Sequence, residues 1–479
     1  MSKISILASA LLLAAAPLAH GQTVTRLKNS PPDGAVIAFV LTNGAVLAQG
    51  AGLYDWYKLT PDNAGSYVNG TWTQAASLPP GYQPDAFAST VLADGRVIIA
   101  GGEYNFGQFK LTSRSAIYDP VANTWTTLSP PPGWGFIGDS PSSILPNGHY
   151  LIGDKIDQRI ADLDPATMKW TEFKSTGKAD FNAEEGWTLL PNGSVLTYDV
   201  KDAPNSEIYD PASEVWTSAG STVVDLHSPP AEKSIGYGHG KVYHPPGEVG
   251  PGILRPDGSV FATGGTPSGG TFGHTAIYTP PAGGSGAGAW AAGPNFPPGE
   301  DAGDSFASLL PTGNVLVEAE SGRLYEFDGG VLKATGFNAG GLLLVLPSGE
   351  ILLGGNAVYK AAGAVDPAWA PTITSAPSRL TRGATYPIAG RQFNGLSQAN
   401  AFGDEYQTNT NYPLVRITNS ASGHVIYART HGHSSMGVAT GNAIITTNFD
   451  VPAAAEAGAG KLVVVANGIA SVPVDVTVR

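Results

Sequence analysis

Cysteine is absent from all 479 residues, methionine occurs three times and histidine nine times. The missing thiols exclude disulfides, thiolate metal sites, cysteine nucleophiles and lipid attachment through an N-terminal cysteine. Charge is also scarce, at 14% of residues, and its balance is acidic, with a formal net charge of −13. No Lys/Arg cluster interrupts this, so the basic stripe that a phosphate backbone requires is lacking and nucleic acid is excluded as an expected partner. Long apolar runs are missing too. The only one is Ile4 to Leu18, too short for a permanent membrane anchor. With Lys3 before it and Ala19-His20-Gly21 after it, this run reads as a signal peptide over residues 1–21, and a secreted or periplasmic protein is expected.

What the chain has in abundance is glycine, 62 residues, and proline, 38. With so little charge, this composition points to a turn-rich β protein rather than a disordered one. Seven times an apolar run reaches a tight turn and resumes, at Asn43-Gly44, Asp94-Gly95, Asn147-Gly148, Asn192-Gly193, Asp257-Gly258, Thr312-Gly313 and Ser348-Gly349. Such pairs suit a two-residue β-hairpin turn. A third strand follows in several units, as in Ile117-Tyr118-Asp119-Pro120 and Ile208-Tyr209-Asp210-Pro211. Trp125, Trp170 and Trp216 then mark a fourth, with Trp72 and Trp290 in looser copies. The turn glycines are 36 to 65 residues apart, around the period of about 50 that kelch repeats show. The expected fold is therefore all-β, a seven-bladed kelch β-propeller over residues 22–370, its short last blade completed by a strand near Thr23 to Leu27. From Pro371 the turn pattern stops. Residues 371–479 are expected to form an immunoglobulin-like β-sandwich of short alternating strands.

In a propeller the first strand of each blade lines the channel, so side chains at its start surround the channel mouth. Nine residues before the turn glycine stand Asp139, Glu184 and Asp304; ten before it stand Asp85 and Glu248. Asp33, Glu185 and Asp301 are nearby candidates. Converging carboxylates repel one another and must take up protons, gain hydrogen bonds or bind a cation. Oxygen donors without thiols favour Ca²⁺ or another divalent cation over zinc. The alternative is that each acid caps backbone N–H groups of its own loop.

Further candidates lie elsewhere. His431 and His433 alternate with Gly432, which in an extended strand puts both on one face, suited to a metal or a sugar; the alternative is a hydrogen-bonded hairpin tip. The connection from His227 to Glu248 carries Tyr237, His239, Tyr243 and His244, a composition suited to ligand selection over a mouth or to an ordinary surface loop. Trp134, Phe136 and Trp187, near the starts of inner strands, are expected to stack on sugar rings.

Kelch-like units, the leader and a C-terminal domain carrying Thr430-His431-Gly432-His433-Ser434 together resemble the galactose oxidase and glyoxal oxidase family over nearly all of the chain after residue 21. The resemblance implies that a hairpin of the C-terminal domain enters the channel and that a histidine of a Thr-His-Ser motif binds copper, here His431 or His433. Met436-Gly437-Val438 stands where the family continues with Asp-Gln-Arg. The family's Tyr-His pair is replaced by Gly303-Asp304 and Ala339-Gly340, while Tyr243-His244 is out of register. Its redox cofactor, a tyrosine cross-linked to cysteine, cannot form here, so copper-radical chemistry is not expected. The expected function is binding of a glycan or small molecule at an acidic, cation-occupied mouth by a monomer. A carbohydrate-active hydrolase or lyase using paired carboxylates, a divergent copper-dependent oxidase and an interaction scaffold are the alternatives.

Overall fold

The computed structural model describes residues 21–230, 235–238, 241–243, 247–282, 284 and 286–479. The expected signal segment, apart from Gly21, lies outside these residues, as do His239 and His244. The described chain is built from β-strands, with one 3-10 turn at Pro367–Trp369. None of its helices is long and apolar enough to cross a membrane.

Among the described residues, seven small antiparallel sheets each place four strands side by side, one of them gaining a fifth. The first runs through Ala38–Val40, Val46–Gln49, Trp56–Thr60 and Thr71–Gln74. The innermost strands of successive sheets touch: Ala88–Val91 meets Ser142–Ile144, and the contacts continue to Leu343–Val345, which returns to Ala38–Val40. Such a sheet cannot bury both faces alone, and stacking against two neighbours solves this. The inner and middle strands are accordingly buried along their whole length, as in Val97–Ala100 and Val315–Glu318. The arrangement is propeller-like.

The N-terminal strand Thr23–Arg26 pairs antiparallel with Ala357–Lys360, completing the sheet that ends with the last repeat, as the short seventh unit implied. Gln22 Nε2 donates to Glu326 Oε2 at 2.8 Å, and Tyr359 donates to the same oxygen at 2.7 Å.

The hairpin turns differ from the sequence expectation. A two-residue type I′ turn needs positive φ at both central residues, yet at Asn43-Gly44 only the glycine has it, at 76°. Leu41 N bonds Ala45 O at 2.7 Å and Gly44 N bonds Leu41 O at 2.8 Å, which defines a three-residue loop closed by a left-handed glycine. Asn43 Oδ1 accepts from Ala45 N at 3.1 Å. Asp94, Asn147, Asn192 and Asp257 accept in the same way from the residue two ahead. The side-chain acceptor therefore explains the Asn/Asp preference, and the glycine supplies the backbone angle.

The repeat tryptophans join neighbouring sheets. Trp125 packs 5.2 Å from Tyr118 of its own sheet and 4.8 Å from Trp56 of the preceding one, and its indole donates to Ala76 O at 3.0 Å. Trp170 donates to Ser129 O and Trp290 to Ser206 Oγ, each at 2.8 Å, again reaching an earlier unit.

The C-terminal strands lie against the turn ends of the repeats: Thr430 N bonds Thr42 O at 3.1 Å and Met436 N bonds Pro146 O at 3.0 Å. From this base residues 397–412 run up along the axis. Asn400–Ala401 adds a strand to Ala307–Leu309. Gln398 Oε1 accepts from Leu189 N at 2.9 Å, Asn400 Oδ1 from Val345 N at 2.9 Å, and Asn409 Oδ1 from Val91 N at 3.3 Å. Tyr412 donates to Val40 O. Inner strands are edge strands, and their unpaired backbone groups would be left without partners in a dry channel. The Asn/Gln/Thr-rich segment supplies those partners.

Deleting residues 22–30 is expected to lower the melting temperature by roughly 5 °C or more, because the outermost strand of one sheet is lost. An unchanged melting temperature in differential scanning calorimetry would contradict the closing role of this strand.

Candidate metal centre at the channel mouth

Each inner strand starts at the end of the axis opposite the hairpin turns, and residues 403–406 carry the axial segment to that end. Its tip holds Asp404 and Glu405, which are 2% and 5% exposed. Around the tip stand the residues that repeat spacing brings to the mouth. Asp139, Asp404 and Glu405 each place one carboxylate oxygen within 4.8 Å of the others, and so do Glu184, Glu248 and Asp404. Glu103, Asp139 and Glu184 form a third such group. Asp404 thus belongs to two of the groups. Asp304 adds its charge to Glu248 and Glu405 from the solvent side, where it is exposed.

A lysine at the centre was not anticipated. Lys155, fully buried, donates to Asp139 Oδ2 and, at 2.6 Å, to Glu184 Oε1, with Glu103 Oε1 at 3.6 Å. One ammonium partly neutralises several acids and leaves a surplus of negative charge. Burial raises Glu184 to about 8, with Lys155 opposing and the Asp404 carboxylate adding to the rise. Burial likewise pushes Glu248, with Glu184 and Asp404 adding, and Glu405, next to Asp404, well above the usual carboxylate range. Asp304 is raised to about 7 by its surroundings and by Asp404, a shift that its exposure to water moderates. Asp404 itself goes the other way. Burial works against its charge, yet hydrogen bonds from Glu405 and Glu184 and the nearby Lys155 hold it below the ordinary value. Protons on Glu184 and Glu405 therefore point at an ionised Asp404. Even so, Asp404 Oδ2 and Asp139 Oδ1 are buried with no hydrogen-bond partner.

Several expectations require correction. Asp85 joins the group only through the axial segment, accepting from Tyr406 OH at 2.5 Å. Asp33 and Asp301 cap loop N–H groups, of Gly52 at 3.2 Å and Thr266 at 3.0 Å. Glu185 turns away from the axis, toward Lys178. Trp134 and Trp187 are buried, with 4% and 2% exposure, so neither offers a face to a sugar; Trp134 packs under Arg159 and Trp187 lies 5.9 Å from Trp216. Tyr237 lies on the strand Ile235–Gly238 of a short hairpin.

His431 and His433 are not at the mouth. Gly432 N bonds Ala93 O at 3.0 Å, beside the turn Asp94-Gly95, so these histidines lie at the opposite end of the inner strands, roughly 25 Å from Asp85 at 3.3 Å per residue. They do not share a ligand position. His431 Nε2 faces Asp450 Oδ1 at 3.1 Å, while His433 Nδ1 meets Thr447 Oγ1 at 2.8 Å with its ring stacked on Tyr412. Burial lowers His433 to about 3, so it is neutral. The hairpin that enters the channel is 397–412, which carries no histidine. The donors at the mouth are carboxylates and an ammonium. They do not fit a copper centre served by histidine and a tyrosine–cysteine pair.

The raised carboxyls carry a pH signature. A folded-state pKa above the unfolded value means that the folded protein holds more protons, so the stability from these groups is present below about pH 4.5 and is lost as pH rises toward 8. In chelator-treated protein the melting temperature is expected to fall between pH 5 and pH 8. A rise across that window would contradict the protonation pattern.

No family model matches the chain. A kelch-like protein, terF, from Aspergillus terreus is 30% identical over 88 residues, a match that spans 18% of this chain and 18% of that protein. Among solved structures, a fungal alcohol oxidase of the AA5 family in complex with copper aligns with 96% of this chain and 100% of its own, at 14% identity and a TM-score of 0.49. A catalytically inactive virginiamycin B lyase from Staphylococcus aureus with quinupristin aligns with 72% of this chain and 100% of its own, at 10% identity and a TM-score of 0.46. Over those 88 residues the chain is similar to the kelch-like protein, and its succession of small antiparallel sheets is propeller-like.

Proposed function

We propose that this is an exported, monomeric binding protein in which seven blades form one closed propeller, residues 371–479 form an immunoglobulin-like sandwich, and the acidic mouth holds a divalent cation, Ca²⁺ by donor type. The observation that carries the reading is Asp404. It is ionised, deeply buried, common to two three-carboxylate groups, and has one oxygen without a partner. Carboxylate oxygens are the ligands that Ca²⁺ takes, typically six to eight at about 2.3–2.6 Å. Asp139, Asp404 and Glu405 would form its inner ligands. Glu103, Glu248 and the exposed Asp304 stand toward solvent, suited to accept hydroxyl hydrogens of a glycan or another small polyhydroxy ligand seated on the ion. Copper-radical oxidation has no place in this reading, since the mouth offers oxygen donors and the chain no sulfur for the organic radical.

A second reading is favoured by one specific feature, the separation of Glu184 from Asp404. Adjacent carboxyls pushed in opposite directions are the arrangement that acid–base catalysis uses, a protonated Glu184 as general acid and an ionised Asp404 as base. A polysaccharide hydrolase or lyase would use such a pair.

Isothermal titration of chelator-stripped protein with Ca²⁺ is expected to show binding that Asp404→Asn and Asp139→Asn each weaken by at least about tenfold. Equal binding by both variants, or none by the wild type, would contradict the cation reading. Shortening of a polysaccharide, lost in Glu184→Gln, would favour the catalytic one.

A further inference from the structure

Glu184 and Glu185 are neighbours that face opposite ways, across a backbone with φ of +59° at Glu184. Glu184 points to the mouth. Glu185 points into the fourth sheet, where it meets Asp199, just past the strand Val195–Tyr198, and Glu207 on Asn205–Asp210. One oxygen of each lies within 4.8 Å of the other two. Lys178 Nζ reaches both oxygens of Glu185 at 2.9 Å and Glu207 Oε2 at 2.6 Å. Glu207 Oε1 accepts from Ala179 N at 2.8 Å. Asp199 is different. It is 3% exposed, and neither of its carboxylate oxygens has a hydrogen-bond partner.

This is unlike the mouth, where carboxyl–carboxyl hydrogen bonds reveal shared protons. Burial raises the Asp199 carboxyl to about 7, with Lys178 opposing and Glu207 adding to the rise, and neither of its oxygens is within hydrogen-bonding geometry of Glu185 or Glu207. With all three carboxyls ionised, the one ammonium would leave two negative charges in a dry interior, which one divalent ion would neutralise. Oxygens on a single Ca²⁺, each about 2.3–2.6 Å from it, lie no more than about 5 Å apart, so three within 4.8 Å suit one ion. We propose that Glu185, Asp199 and Glu207 hold a second divalent cation, of the calcium class, separate from the mouth. By fixing Glu185 this ion holds the positive-φ turn that aims Glu184 at Lys155 and Asp404. The site is a positioning device for the mouth, built inside one sheet.

Terbium luminescence on the chelator-stripped full chain tests this independently of the mouth. Trp216, whose ring lies 5.1 Å from Lys178 Nζ, is close enough to sensitise a lanthanide held by Asp199. Indole-excited emission, displaced by Ca²⁺, is expected in the wild type and in Asp404→Asn, and is expected to weaken by at least about tenfold in affinity in Asp199→Asn and in Glu207→Gln. Emission unchanged in a folded Asp199→Asn or Glu207→Gln protein would overturn the proposal. So would a wild type without emission, which would leave Asp199 protonated and uncoordinated. Loss of emission in Asp404→Asn, with Asp199→Asn unaffected, would put the ion in the mouth and overturn the second site alone.

Discussion

A succession of sheets whose innermost edges face one axis has a problem of unpaired backbone. Each inner strand presents N–H and C=O groups to a space that excludes bulk water, and a buried group left unpaired costs about 1–3 kcal/mol. Residues 397–412 meet that demand with short amide side chains that reach one inner strand after another. A hydrophobic plug of equal volume would fill the space and leave those groups unpaired. The amides of Gln398, Asn400 and Asn409 are therefore a consequence of the axial position.

The same segment sets the chemistry. Because it enters from the turn face and spans the axis, its tip arrives at the other mouth, and the tip is Asp404-Glu405. Repeat-derived acids would otherwise surround a water-filled opening, where solvent screens their repulsion. Filled by protein, the mouth brings them into a dry group with Lys155 as internal counterion. The burial of Asp404 and the raised state of its neighbours follow from this one placement. The C-terminal region is then part of the site rather than a spacer.

Much of this was legible in the sequence, for identifiable reasons. Turn chemistry recurs because each hairpin uses the same glycine angle, most of them with a side-chain acceptor, so counting from the turns led to Asp139, Glu184 and Glu248, whose carboxylates fall within the clusters at one end of the axis. The closing strand at Thr23 followed from a last unit too short for four strands. Turn counting could not find Lys155, Glu103 or Asp404, which lie on connections with no repeat register. A signal for Asp404 did exist: acids inside a run of neutral amides between two stretches of strand. The histidines misled because a short motif was read without its path in space; Thr430-His431-Gly432-His433-Ser434 stays at the turn face. Trp134 and Trp187 misled because proximity to an inner strand start says nothing about which way an aromatic ring turns.

The central claim is that the tip of the axial segment completes a cation site with repeat-derived carboxylates. Crystals grown with Mn²⁺ in place of Ca²⁺, measured at the manganese absorption edge, address it most directly. The account predicts an anomalous peak bounded by the oxygens of Asp139, Asp404 and Glu405. A mouth without such a peak, its carboxyls linked only by protons and Lys155, would contradict it.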